Sequence, residues 1–134
     1  MMDDLLELLE SFVLGKLSAG EFVTRYSTLW REISDEQRHA LETRADVKQG
    51  YERLWLQRDF RLINDAQFEQ EAKKLFGSAC RVTPGTQADK SLNQLKIEAD
   101  AYEGDTAQRQ PYQIGEAELL AEARKALKVL SQQA

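Results

Sequence analysis

The chain has 134 residues, 42% of them apolar and 31% charged, and carries a formal net charge of −5. That length suits one domain, with a core large enough to stand without disulfides or metal. The composition is that of a soluble globular protein and excludes a disordered chain.

Leu5, Leu6, Leu8, Leu9, Phe12, Val13 and Leu17 form a helical stripe that ends near Gly15–Ser18. Ser18-Ala19-Gly20-Glu21 reads as a capping box that opens a helix burying Phe22, Tyr26, Leu29, Trp30 and Ile33. Ser34-Asp35-Glu36-Gln37 reads as a second capping box, starting a segment that runs to about Leu62 and breaks near Arg44–Gly50. Ile63-Asn64-Asp65-Ala66-Gln67-Phe68 is a strong helix start. Asn64 is the N-cap, Gln67 its reciprocal partner, and Ile63 and Phe68 occupy the hydrophobic-staple positions. That helix runs to Phe76 and stops at Gly77, the expected left-handed cap.

Thr83-Pro84-Gly85-Thr86-Gln87 is the clearest connector. A long helix follows with Leu92, Leu95, Ile97 or Ala99, and Tyr102 inward; the polar stretch Gly104–Gln113, holding Pro111, is a loop. Ile114-Gly115-Glu116-Ala117-Glu118-Leu119 repeats the staple spacing, and Leu119, Leu120, Ala123, Leu127 and Leu130 form the last core face. No segment alternates with period two for long. The expected fold is all-α, an antiparallel helical bundle of five to six helices forming a single domain over 1–134.

An internal repeat organises the second half. At an offset of 51, residues 51–79 match 102–130 with nine identities in 29 ungapped positions: Tyr51, Glu52, Gln57, Arg58, Ile63, Ala66, Glu71, Ala72 and Lys74 recur as Tyr102, Glu103, Gln108, Arg109, Ile114, Ala117, Glu122, Ala123 and Lys125. Self-similarity at a fixed offset points to a duplicated supersecondary unit. Each copy reads as a helix ending in Tyr-Glu, a polar loop containing Gln-Arg, a stapled start at Ile and a second helix. The result is two related αα-hairpins that can cover each other's apolar faces.

Catalytic chemistry finds no footing. His39 is the only histidine and Cys80 the only cysteine, so zinc ligation by soft residues within one chain is not available and no disulfide forms. No Gly-rich phosphate loop, nucleophile elbow or HExxH is present. One histidine also rules out the paired Glu-x-x-His sets of a di-iron bundle. Trp30 and Trp55 sit among apolar helical residues and read as core anchors. A non-enzyme with no cofactor, metal or small-molecule ligand is expected. The acidic N-terminus lacks the bases of a secretory signal, and no apolar run approaches the roughly 18 residues of a membrane span. A cytoplasmic protein is therefore expected.

Charge is uneven. Residues 1–33 carry six acids against three bases and residues 86–115 carry five against three, while 34–85 balances at nine each and 116–134 at three each. Acidic zones disfavour direct nucleic-acid binding and suit a basic protein partner. Glu98, Asp100, Glu103 and Asp105 cluster at a helix C-terminus and the loop beyond it, with Glu116 and Glu118 at the next helix start. Glu116 and Glu118 compensate a helix dipole, whereas acids at a helix C-terminus cost roughly 0.3–1 kcal/mol each. A locally unfavourable choice suggests a binding function. Carboxylates at roughly the spacing of backbone phosphates suit a basic nucleic-acid-binding groove on another protein.

Leu6, Leu9 and Phe12, then Gly15-Lys16-Leu17-Ser18-Ala19-Gly20-Glu21-Phe22 with Arg25, resemble the opening of the colicin D-type immunity proteins. Ala101-Tyr102-Glu103-Gly104-Asp105, Tyr112-Gln113-Ile114-Gly115-Glu116 and Leu119 are similar to their closing hairpin. The resemblance spans residues 5–33 and 92–130. It implies a small helical bundle that binds and neutralises a nuclease toxin, an inhibitor whose acidic face fills the toxin's basic active site in place of RNA; toxins of the founding type cut tRNA in the anticodon loop. The negative face it implies includes Asp100, Glu103, Asp105 and Glu116. Members are typically shorter, so this chain reads as one whose C-terminal hairpin was duplicated, with the second, more acidic copy meeting the toxin. The alternative is a non-enzymatic helical adaptor that binds a partner through an apolar groove, centred on Trp55, Phe60 or Phe76.

Overall fold

Amphipathic stripes at helical spacing and few breakers leave one economical solution, and the computed structural model, which describes residues 3–133, adopts it. The fold is all-α: helices α1 (Asp3–Val13), α2 (Ala19–Thr43), α3 (Ala45–Asp59), α4 (Asp65–Phe76), α5 (Gln87–Asp100) and α6 (Glu116–Gln133), with a 3-10 turn at Gly77–Ala79. The chain folds as two compact units, one made of the segments up to Arg31 and from Lys90 onward, the other of Glu32–Asp89. The boundaries fall inside α2 and α5.

In the first unit α6 packs along α1. Its buried side chains include Leu5, Leu9, Phe12, Phe22, Leu92, Leu95, Ala99, Leu119, Ala123 and Leu130. Phe12 stacks on Phe22 with ring centroids 4.2 Å apart, and Phe22 stacks on Tyr26 at 5.5 Å. The Tyr26 hydroxyl, fully buried, donates to the Leu92 carbonyl at 2.6 Å, which satisfies the one polar atom the ring brings inside. Of the two alternatives on α5, Ala99 is the buried one and Ile97 faces solvent. Ser18 caps α2: its Oγ accepts the Glu21 amide at 3.2 Å and donates to the Glu21 carboxylate.

In the second unit α3 packs on α4. Ala40, Val47, Phe76 and Cys80 form a core with Leu41, Tyr51 and Leu75 packed against it, and Phe68 and Ala72 are buried beside them. Asn64 and Gln67 form the expected box, Oδ1 accepting the Gln67 amide at 2.8 Å and Oε1 accepting the Asn64 amide at 2.9 Å. At the other end of α4, Gly77 has a positive φ of 57° but ψ of −134°, so it leaves the helix in a conformation open to glycine and not in the left-handed helical one. Thr86 caps α5, accepting the Asp89 amide at 3.3 Å, while the Asp89 carboxylate accepts the Gly85 amide. Gly85 holds φ +80°, and a Cβ on it would lie 2.9 Å from both the Phe68 ring and the Tyr51 hydroxyl.

Two local expectations do not hold. Ser34 does not start a helix, because α2 runs unbroken from Ala19 to Thr43. Glu36 and Gln37 spend their side chains on the chain beyond the 3-10 turn: Glu36 receives the Arg81 amide and guanidinium, and Gln37 donates to the Val82 carbonyl and to Asp89, both at 2.9 Å. The second departure concerns the repeat. α4 and α6 start 51 residues apart in register, but Tyr51-Glu52 lies inside α3 and Gln57-Arg58 in its last turn, whereas Tyr102-Glu103 lies beyond α5 in the loop. The first copy has Arg53 and Phe60 where the second has the helix-breaking Gly104 and Pro111. Helix propensity thus decides how far each preceding helix extends.

Candidate functional site

The acidic zone at the end of α5 is built from the helix outward. Lys96 pairs with Asp100 one turn away at 2.5 Å, its ammonium also 5.2 Å from the centre of the Trp30 ring. Glu98 accepts from Gln94 at 3.0 Å. The chain then leaves the helix, and the ends of the loop are clasped: the Glu103 amide donates to the Ile114 carbonyl and the Ile114 amide to the Ala101 carbonyl, both at 2.9 Å, around the isolated Tyr102–Ile114 bridge. This clasp brings Glu103 and Asp105 to the same end of the unit as Glu116 and Glu118, which stand exposed in the first turn of α6.

Inside the loop the carboxylates shape the backbone. Glu103 Oε1 accepts the Asp105 amide and Asp105 Oδ1 the Ala107 amide, each at 3.0 Å. Gln110-Pro111-Tyr112-Gln113 closes a turn in which the Gln113 amide donates to the Gln110 carbonyl and the Gln113 side chain accepts the Gln110 amide at 2.7 Å. Tyr112, at the turn's third position, is 76% exposed. Arg109 folds inward, its Nε donating to the Glu103 carbonyl at 3.2 Å. The guanidinium lies so close over Gly115 that a Cβ there would sit 2.7 Å from it. Across residues 98–118, six carboxylates face this one arginine.

The structure therefore finds partners for the acids that dipole arguments left unexplained: Glu98, Asp100, Glu103 and Asp105 each have one nearby. Asp100, Asp105, Glu116 and Glu118 remain exposed, while Glu98 and Glu103 are half-buried. The corresponding arginine of the first copy, Arg58, pairs with Asp65 at 2.9 Å and lies about 5 Å over the rings of Trp55 and Phe68. In both copies the arginine braces the start of the following helix, although one reaches it from a helix and the other from a loop.

Other residues singled out by sequence fall as follows. Trp30 and Trp55 sit at the edge of the packing and keep contact with solvent: Trp30 Nε1 donates to Asn93 Oδ1 at 3.0 Å, and Trp55 meets the rings of Tyr51 and Phe68 edge-on. Phe60 is exposed and Phe76 buried. His39 is exposed on α2. Cys80 is buried, and burial first, then the charges of Glu36 and Asp89, push its thiol up to about 11, which keeps it protonated and un-nucleophilic at neutral pH. Sequence reasoning missed the Arg81 cluster and the exposure of Tyr112; of the exposed apolar α3–α4 corner it named Trp55 and Phe60 but not Leu56 and Leu62.

No helix among the described residues is long and apolar enough to cross a membrane, and no group of three or more His, Cys, Asp or Glu side chains there could hold a metal ion. No protein-family model, curated protein or solved structure matches the chain.

Proposed function

We propose that this chain is a non-catalytic cytoplasmic inhibitor that binds and neutralises a basic nuclease toxin through the loop between α5 and α6, with Glu98, Asp100, Glu103, Asp105, Glu116 and Glu118 supplying the charge. The observation that supports this most is the pre-organisation of that loop. Its ends are clasped, its amides are held by Glu103, Asp105 and Gln113, and its one arginine turns inward, so the acidic face is held in place by the loop's own hydrogen bonds. A rigid, single-signed surface loses little ordering entropy on binding and steers a cationic partner by long-range attraction. The resemblance to colicin D-type immunity proteins supplies the partner class, a basic tRNA-cleaving domain whose active site the carboxylates occupy.

The test is cleavage of tRNA by a purified colicin D-type nuclease domain with and without this protein. Equimolar protein should suppress cleavage. Asp100→Asn, Glu103→Gln and Asp105→Asn together remove charge while keeping hydrogen-bond acceptors, so the loop survives. We expect the triple variant to bind about 10²–10³-fold more weakly, with that gap narrowing in high salt. Undiminished cleavage at equimolar protein, or full inhibition by the triple variant, would sink the proposal.

A further inference from the structure

Four of the seven large apolar side chains exposed among the described residues, Trp55, Leu56, Phe60 and Leu62, lie at the corner between α3 and α4. Leu56, in the last turn of α3, and Phe60, which caps that helix, are one turn apart and 57% and 74% exposed. The corner itself is a Schellman turn: the Leu62 amide donates to the Gln57 carbonyl and the Arg61 amide to that of Arg58. Such a turn ordinarily folds its last side chain onto an apolar residue of the helix. Here the two helix positions that could cover it are Gln57 and Leu56, itself 57% exposed, and Leu62 is left 73% exposed. Arg61 holds a left-handed φ of 58°, the one positive φ outside glycine among the described residues. Strain and uncovered apolar surface together at one corner point to a contact made there.

The shape and charge of the corner indicate what covers it. An open, largely polar cleft of about 730 Å³ adjoins Leu62, its other walls including Arg58, Asp59, Arg61, Asn64, Asp65 and Gln67. Arg58 and Asp65 are already paired with each other, which leaves Asp59 and Arg61 as exposed charges of opposite sign. A neutral patch of this kind attracts neither nucleic acid nor the basic partner of the acidic loop. An exposed acid beside an exposed base can instead complement itself about a two-fold axis, where residue i of one copy meets j of the other and j meets i. We propose that the α3–α4 corner pairs with the same corner of a second copy, Leu56, Phe60 and Leu62 of each packing on those of the other and each Asp59 facing the other's Arg61. The patch is small beside the roughly 1,200–2,000 Å² of a stable complex, so the dimer is weak and concentration-dependent.

Sedimentation velocity of the full chain from about 5 to about 500 µM tests this, a range that spans affinities of −5 to −7 kcal/mol. The weight-average mass should climb toward twice that of the monomer. Phe60→Glu should stay monomeric throughout, and Tyr112→Glu, an equally exposed aromatic elsewhere, should dimerise like the parent. Arg61→Asp should weaken the dimer at least tenfold, and adding Asp59→Arg should restore it, an exchange only a self-complementary contact permits. A parent chain monomeric across the range, as when the corner docks into a groove of some other protein, overturns the proposal. So does a dimer that survives Phe60→Glu, or an exchange that fails to restore association in a variant whose circular dichroism shows it folded.

Discussion

Arg61 and Gly15 close their helices with the same pair of hydrogen bonds, yet only one of them is glycine. After α1 the Gly15 amide reaches the Phe12 carbonyl and Lys16 reaches Ser11, with Gly15 at φ 77°; after α3 the pattern recurs on Arg61 at φ 58°. An L side chain in the left-handed region costs about 1–2 kcal/mol, while glycine's extra freedom in the unfolded chain returns about 0.5–1 of it. Arg61→Gly should therefore stabilise the protein by about 0.5–1 kcal/mol, read as a higher urea midpoint at unchanged slope. An unchanged or lower midpoint would mean the turn carries no strain. Cys80 gives a second residue-scale expectation. Its thiol rises from an ordinary 9.0 to about 11 through burial, so above pH 9 the unfolded chain releases a proton that the native chain keeps. Stability should fall between pH 9 and pH 11, by about 2 kcal/mol from this group. The Tyr51 phenol, also raised by burial, acts with the same sign at still higher pH. Urea titrations across that window should show the decline, and Cys80→Ala should flatten its lower part.

Elements were legible wherever the deciding interaction is local. The Asn64–Gln67 box and the Ser18 cap are set by residues within four positions of one another, and each lies where the sequence pattern places it. The Ser34 motif was misleading because its Gln37 is bonded across 45 residues, to Val82. Arg81 is the hinge of that arrangement: only 17% exposed, it reaches Glu36 at 2.7 Å and Glu32 at 3.5 Å. Glu36→Ala would strip the main counter-charge from a nearly buried guanidinium and free the Arg81 amide. Thermal unfolding should show a loss of about 2–3 kcal/mol, below the 3–5 of a fully buried pair because Glu36 keeps some water. Glu36→Gln, which retains an acceptor, should recover part of it; equal losses would assign the effect to packing.

For the whole molecule, charge and pattern carried different amounts of information. The acidic stretch at 98–118 was visible in the sequence, but a linear reading leaves its acids as a cluster at an unfavourable helix end. The fold assigns Asp100 to Lys96, turns Glu103 and Asp105 into the scaffold of their own loop, and folds Arg109 out of the way. The repeat was likewise half legible. Its second helices coincide at Asp65 and Glu116, whereas the first helices end at different points, α5 at Asp100 ahead of a loop holding Gly104 and Pro111 and α3 only at Asp59, where the Arg61 turn closes it. By itself the sequence determined that the protein is all-α, where most helices start, and that it carries no recognisable catalytic motif, since periodicity, caps and composition are local properties. Only the tertiary structure decided the continuity of α2, the partition into two units, the bracing of the acidic loop and the uncovered α3–α4 corner. Each of those depends on which distant groups meet, and burial and hydrogen bonding between distant groups outweigh the few tenths of a kcal/mol that local preference commands.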